Sequence, residues 1–299
     1  MRRFTYSCGS SNSRPRLVEW AQRETVTKRI LITGAGTGFG RNAALGLAAK
    51  GHEVIAAVQF PEQVAELTGA AGGLGLELRV AKLDLLSEAD RRAAESWDVD
   101  VLVNNAAIGE GGPIAEIPLD LVRDVFEVNV FATLELTQRL VRQMVRRGRG
   151  RVIFVSSIAG LTAGAYLGAY AASKHALEAI AEAMSKELLP FGVQVVTLNP
   201  GPYATGFNDR MVRSLERWYD PARNFTHPED LASLAARFAR QFDPDGLVQE
   251  MIALAESDSG RFRNVHPPES EALVHERESQ AWTREIGPPE TTADLQQRS

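Results

Sequence analysis

The chain has 299 residues, 44% hydrophobic and 24% charged, with a net charge of −5 and a pI near 5.7. That length suits one large α/β domain with a sizeable core, and an acidic balance without a basic stripe argues against a nucleic-acid partner. The single cysteine, Cys8, excludes an intrachain disulfide, and no apolar run reaches the ~20 residues of a membrane span, so a soluble, cytoplasmic, membrane-free protein is expected.

Residues 1–28 are rich in Arg and Ser, with Arg2, Arg3, Arg14 and Arg16 ahead of any acidic residue. The composition is that of an organelle transit peptide, of residues upstream of the true start, or of a disordered extension, which is the expectation adopted. RILIT (29–33) then reads as a buried strand and GFGRNAALGLAAKG as a helix ending at Gly51. EVIAAV (53–58) is a second strand, with a short helix opened by Pro61. ELRVAKLD (77–84) is a third, followed by a helix opened by Ser87. DVLVNNA (100–106) is a fourth strand, and residues 119–148 keep helical spacing throughout, predicting one long helix. RVIFVSS (151–157) is a fifth strand, a long helix runs from Ala169 to Gly192, and VQVVTLN (193–199) is a sixth strand. A helix follows at 228–242, and RFRNVH (261–266) is the candidate seventh strand. Residues 267–299 read as a polar tail carrying one helix near Glu269 to Trp282. Strands rich in Val, Ile and Leu alternating with helices imply a single Rossmann-like domain over 29–266: a doubly wound parallel sheet covered on both faces. Its ligand crevice lies beyond the carboxyl ends of the strands.

Two local patterns carry chemistry. The first strand runs into Thr33-Gly34-Ala35-Gly36-Thr37-Gly38-Phe39-Gly40. Small residues there let the backbone approach a pyrophosphate, and the N-terminus of the next helix offers free N–H groups and a positive dipole end. The spacing is G-x-x-x-G-x-G, because Phe39 stands where the commoner G-x-G-x-x-G pattern has its last glycine. The second pattern is Tyr170 four residues before Lys174 on a predicted helix, with Ser157 at the end of the fifth strand. That spacing puts phenol and ammonium on one helix face. A neighbouring ammonium stabilises phenolate and is expected to lower the tyrosine pKa from about 10, which makes Tyr170 a candidate general acid/base. Ser156 is expected on the opposite side of its strand, and Tyr166 is expected to wall the substrate pocket. No Cys/His cluster has metal-ligand spacing.

With these motifs on the page, the chain resembles the short-chain dehydrogenase/reductase family from about residue 28 to about residue 245. TGAGTGFG matches the family's glycine motif, NNAA (104–107) its Asn-Asn-Ala-Gly motif with Ala107 in place of glycine, and NPGPYAT (199–205) its Pro-Gly-x-x-x-Thr element. Ser157, Tyr170 and Lys174 match its catalytic spacing, and Asn129 stands where the family has a fourth catalytic residue. The resemblance implies hydride transfer between a nicotinamide cofactor and a secondary alcohol or carbonyl. Tyr170 would move the proton, Lys174 would lower its pKa and bind the nicotinamide ribose, Ser157 would polarise the substrate oxygen, and Asn129 would position a relay water. Thr33, Gly34, Gly36, Thr37, Gly38, Phe39 and Gly40 would form the cofactor turn. Gln59, Asp84, Leu85, Asn105, Ala106 and Ala107 would line the adenosine side; Pro200, Gly201, Tyr203 and Thr205 the nicotinamide side. Simpler roles remain open: Asn129 at a helix kink, and Asp84 and Thr205 as helix caps.

Val58 stands where NAD-preferring members carry aspartate, and Gln59 where many NADP-preferring members carry arginine. NAD and NADP both remain open, with the balance toward NADP because the carboxylate that repels a 2′-phosphate is missing. Residues 202–228 occupy the place of the family's substrate lid. Phe207, Met211, Trp218, Tyr219 and Phe225 are candidates for an apolar wall, and Arg210, Arg213 and Arg217, spaced along one helix face, for an anion contact. The expected substrate is a medium-sized, partly hydrophobic alcohol or carbonyl compound. Relatives pair subunits through the helices at 119–147 and 170–190, so a homodimer or homotetramer is expected. A dinucleotide-sensing regulator, or an epimerase or dehydratase, are the alternatives on the same fold.

Overall fold

The computed structural model describes residues 27–287. Most of the extension expected over 1–28, with Cys8 and its arginines, lies outside the described residues, as does the end of the polar C-terminal stretch.

Among the described residues seven strands form one parallel sheet: β1 (Arg29–Ile32), β2 (Glu53–Val58), β3 (Arg79–Lys82), β4 (Val101–Asn104), β5 (Gly150–Val155), β6 (Val193–Pro200) and β7 (Arg263–His266). Their order is β3-β2-β1-β4-β5-β6-β7. The chain therefore winds outward in one direction from β1 and in the other from β4, and the crevice opens where these two strands part. Among the described residues ten α-helices surround the sheet: α1 (Gly38–Ala49), α2 (Pro61–Gly73), α3 (Glu88–Ala94), α4 (Leu119–Phe126), α5 (Thr133–Arg147), α6 (Gly168–Leu188), α7 (Phe207–Arg213), α8 (Pro228–Arg237), α9 (Asp245–Glu256) and α10 (Glu269–Thr283).

Side chains alternate across each strand, so a strand buried on both faces needs apolar residues at every position. In β1, Ile30 and Ile32 pack with Leu47 of α1, Leu67 of α2 and Met251 of α9, while Leu31 faces Leu136 and Leu140 of α5 and Leu177 of α6. A smaller cluster of Leu167, Tyr170, Met211 and Leu234 caps the sheet's carboxyl edge.

Two elements depart from the sequence expectations. The helix expected over 119–148 is interrupted by a π-helical turn, Glu127–Ala132, where Thr133 Oγ1 donates to the Val128 carbonyl at 2.9 Å; such turns interrupt the i→i−4 ladder that periodicity assumes. Residues 245–256 form α9, whose Leu247, Val248, Met251 and Ile252 are buried. Its apolar positions crowd nearly all round the helix because both the sheet and α1 cover it. The helix expected near Glu269 to Trp282 is present as α10, which buries Ser270 and Val274 against the domain. Among the described residues no helix is long and apolar enough to cross a membrane.

Candidate active site

The glycine turn after β1 is held from β4. Asn105 Nδ2 donates to the Thr33 and Gly34 carbonyls at 2.9 and 3.2 Å, and the Asn105 and Ala106 N–H groups both donate to Thr33 Oγ1 at 3.0 Å. Thr33 and Asn105 thus spend their polar atoms fixing the turn. Gly40 belongs to the same joint: a Cβ there would lie 2.6 Å from Asn105 Nδ2 and 2.7 Å from the Gly34 carbonyl. Gly38, at φ +56°, sets the left-handed entry into α1. Thr37, the residue before that helix, makes no side-chain cap, and the first turn carries no acidic residue. The opening N–H groups of α1 are left to a ligand or to solvent, an arrangement that suits a phosphate.

The second half of the site comes from β5, the turn after it, and α6. Ser157, two residues past β5, is extended; its Oγ accepts from the Ala159 N–H at 3.1 Å and donates to the Pro200 carbonyl at 3.4 Å. Tyr170 and Lys174 lie on the first two turns of the Ala-rich α6, both buried. Lys174 Nζ lies 5.8 Å from the Tyr170 ring centre and donates to the Val155 carbonyl at 2.8 Å. Below them Glu178, buried, accepts from Asn199 Nδ2 at 2.5 Å and Arg263 Nε at 3.2 Å. Asn199 Nδ2 also reaches the Ser157 carbonyl at 3.3 Å, so one network ties both arms of the site.

Burial governs the titration of this pair. It pushes the Tyr170 phenol up to about 12, with the Ser157 hydrogen bond pulling the other way. It draws the Lys174 ammonium down to about 8, opposed by the Glu178 charge. This corrects the expectation that Lys174 would lower the Tyr170 pKa. The ammonium is spent on Val155, and desolvation, which disfavours both charged forms, outweighs their attraction.

One cavity of about 800 Å³ joins the two halves. Its wall includes Gly34, Gly36, Thr37, Gly38 and Phe39 from the glycine turn, and Gln59, Asp84, Leu85, Asn105, Ala106 and Ala107 along the adjoining strand ends. Ser157, Tyr170, Lys174, Pro200, Gly201, Tyr203 and Thr205 complete it. Ser156 also borders it, but its Oγ is buried on the side toward Gly160, with no hydrogen-bond partner among the described residues, whereas Ser157 Oγ turns to Pro200.

The family model for short chain dehydrogenase matches residues 28–216. The chain belongs to the short chain dehydrogenase family. It is 37% identical over 185 residues to the uncharacterized oxidoreductase YusZ of Bacillus subtilis, covering 60% of this chain and 66% of that protein. It is 34% identical over 211 residues to human retinol dehydrogenase 8, covering 68% and 67%. The chain thus spans about two thirds of the length of both relatives. A crystal structure of a short chain dehydrogenase/reductase from Burkholderia phymatum in complex with NAD superposes with TM-score 0.72 at 26% identity, covering 90% of this chain and 99% of that one. Other structures of this fold hold NADP or NADPH.

Within this short chain dehydrogenase, three residues expected at the site lie off the cavity wall. Thr33 and Gly40 serve the turn, as above. Asn129 sits in the π-turn, where its Oδ1 accepts from the Ile108 N–H and its Nδ2 donates to the Ile108 carbonyl, each at 2.9 Å, and to Ser173 Oγ at 3.0 Å. Of the two candidate specificity residues, Val58 is sealed in the core while Gln59 lies on the rim, its Nε2 3.5 Å from Asp84 Oδ1. Asp84 Oδ1 also accepts from the Leu86 N–H at 3.1 Å, while the following helix is capped by Ser87.

The lid differs most from expectation. Phe207 and Met211 line the cavity, whereas Tyr166, Trp218, Tyr219 and Phe225 do not. Trp218 lies over Gly112, Tyr219 Oη donates to the Thr226 carbonyl, and Phe225 is 73% exposed. The three arginines do not share a face, because α7 ends at Arg213 and tightens into a 3₁₀ turn. Only Arg210 reaches the cavity; Arg217 pairs with the buried Glu110. Sequence reasoning missed Gln63, Arg237, Arg240 and Arg277, all on the wall. The signal for Gln63 was present, since its Oε1 accepts from the Gln59 and Phe60 N–H groups, a capping geometry three residues into α2.

Proposed function

We propose that this chain is an oxidoreductase that moves a hydride between a nicotinamide cofactor, preferably NADP, and the secondary alcohol or carbonyl of a medium-sized, partly hydrophobic substrate. The observation that carries the reading is a single cavity holding both an uncapped helix N-terminus and the Ser157, Tyr170 and Lys174 side chains. Gly36, Thr37, Gly38 and Phe39 would hold the pyrophosphate. Gln59 and Asp84 would meet the adenosine end, and Pro200, Gly201, Tyr203 and Thr205 the nicotinamide. When bound, the dinucleotide gives or takes the hydride.

The chain's own residues handle the proton. A phenol held protonated at neutral pH, as burial holds Tyr170, suits delivery of a proton to an alkoxide forming on a carbonyl. Ser157 Oγ would turn its one proton from the Pro200 carbonyl, 3.4 Å away, to the same oxygen and fix it against the phenol. Lys174 spends one of its three N–H donors on Val155 and offers the others to a ribose hydroxyl. Asn129 is a positioning residue: by bonding both polar groups of Ile108 and Ser173 it locks the segment after β4 against α6. The apolar wall of Leu167, Phe207, Met211 and Phe238 suits a hydrophobic substrate body.

NADP is favoured because position 59 carries an amide rather than the carboxylate that would repel a 2′-phosphate, and Gln59 Nε2 stands 3.5 Å from Asp84 Oδ1, the nearest carboxylate on that rim. Leu119 and Phe131, exposed on α4 and the π-turn, support the expected homo-oligomer. The test follows absorbance at the reduced-nicotinamide band with a panel of ketones and secondary alcohols, under NADPH and NADH. Oxidation of NADPH by apolar ketones is the expected result. Tight dinucleotide binding without turnover of any substrate would instead make the chain a dinucleotide sensor.

A further inference from the structure

We infer that the substrate is an amphiphile, with an apolar body beside Tyr170 and an anionic end received by Arg237 at the cavity mouth. The inference rests on the oxidoreductase reading for the location of the reacting end.

The cavity wall is graded. Around Tyr170 it is apolar: Leu167, Phe207, Met211 and Phe238 pack with the phenol ring, Phe207 at 5.5 Å between ring centres. Phe238 follows directly on Arg237, the last residue of α8. The Arg237 guanidinium lies against Gly164, in the loop that runs from Ser157 to Tyr170, so lid and catalytic loop meet through this side chain. A side chain at position 164 would occupy the guanidinium's place.

Arg210, Arg240 and Arg277 line the same cavity. None of the four arginines has a carboxylate within 4.0 Å among the described residues; some arginines away from the cavity, such as Arg142 and Arg223, are likewise unpaired, and others, such as Arg29 and Arg261, are paired, so what sets the four apart is their convergence on one cavity. The acidic residues on the wall are Glu269 and Asp84, and Asp84 is engaged by Gln59 and Leu86 at the far end. On a chain of net charge −5 this concentrates positive charge at the mouth of an apolar pocket. Arginine's planar fork matches carboxylate and phosphate alike, and holds its charge at every working pH. A neutral apolar substrate needs none of this.

Binding, read by calorimetry on the full chain saturated with NADPH, tests the inference without requiring turnover. The probes are decanoate, decyl phosphate and 1-decanol, against wild type, Arg237→Gln and Arg237→Lys. At least one anion is expected to bind wild type about tenfold or more tightly than the alcohol, the size of a charge-assisted hydrogen bond at a partly exposed site. Whichever anion binds more tightly names the headgroup. The preference should shrink as salt is raised, collapse in Arg237→Gln and return in part in Arg237→Lys. Equal affinities for anions and alcohol, a preference that survives Arg237→Gln, or a loss that appears in NADPH affinity instead would each overturn it. Failure of the oxidoreductase reading shows separately, as absence of turnover in the ketone panel.

Discussion

Lys174 is 2% exposed, and burial draws its pKa from 10.5 to about 8. Below pH 8 the ammonium is charged in both the folded and unfolded chain, and the folded state carries the full cost of burying it. Between pH 8 and 10.5 the folded chain has released a proton that the unfolded chain still binds, so stability rises with pH across that window. At about 1.4 kcal/mol per pH unit, the relief amounts to ~3 kcal/mol. Lys174→Met keeps the unbranched stem and removes the ammonium. The variant is expected to be more stable than wild type at pH 7, with the gap narrowing by ~3 kcal/mol as pH approaches 10.5. Urea unfolding of both proteins, without dinucleotide, at half-unit intervals from pH 7 to 10.5 reads this directly. Tyr170 works in the opposite sense above pH 10, where the unfolded phenol ionises and the buried one, with its pKa near 12, does not; both proteins keep it, so it cancels in the difference. A gap that stays constant across the range would refute the reasoning and mean that Lys174 is not held as a buried, destabilised cation.

Asn129→Ala strips two partners from Ile108 and one from Ser173, and should cost about 2–4 kcal/mol in unfolding free energy, with a fall in turnover and little change in dinucleotide affinity. Gly40→Ala drives a methyl into Asn105 and the Gly34 carbonyl, so it should destabilise by about 1–3 kcal/mol and weaken NADPH binding, read by fluorescence of the bound nucleotide. Gln59→Asp places a carboxylate on the rim and should shift the NADPH-to-NADH ratio of kcat/KM toward NADH by about tenfold or more; an unchanged ratio would remove Gln59 from the specificity site.

The inner strands β1, β2, β4, β5 and β6 were legible because they are buried on both faces and so are written as nearly unbroken apolar runs, whereas the edge strands β3 and β7, only partly buried, carry Arg79, Lys82, Arg263 and His266. Ser157, Tyr170, Lys174 and the glycine turn were legible because short-range spacing places them, and the structure brings them to one cavity. Desolvation was not, since it depends on what covers a residue: the i,i+4 rule put an ammonium near Tyr170 but could not show that it donates to Val155. The π-turn was hidden because one extra residue in a turn leaves apolar periodicity almost intact over 119–148. The lid misled for a related reason. Arg210, Arg213 and Arg217 share a face only if one α-helix continues, and the 3₁₀ turn at Ser214–Arg217 breaks that phase. Arg237 ends α8, Arg240 lies in the bend after it and Arg277 is on α10, so no local pattern could have joined all three.

Tyr170→Phe removes one oxygen and leaves the ring, its contact with Phe207 and the cavity wall in place. Turnover of the best ketone from the panel, measured beside NADPH affinity for the same preparation, is expected to fall by about 10²–10⁴ while the affinity holds within a factor of a few. Turnover equal to wild type would contradict the assignment of this phenol as the proton donor.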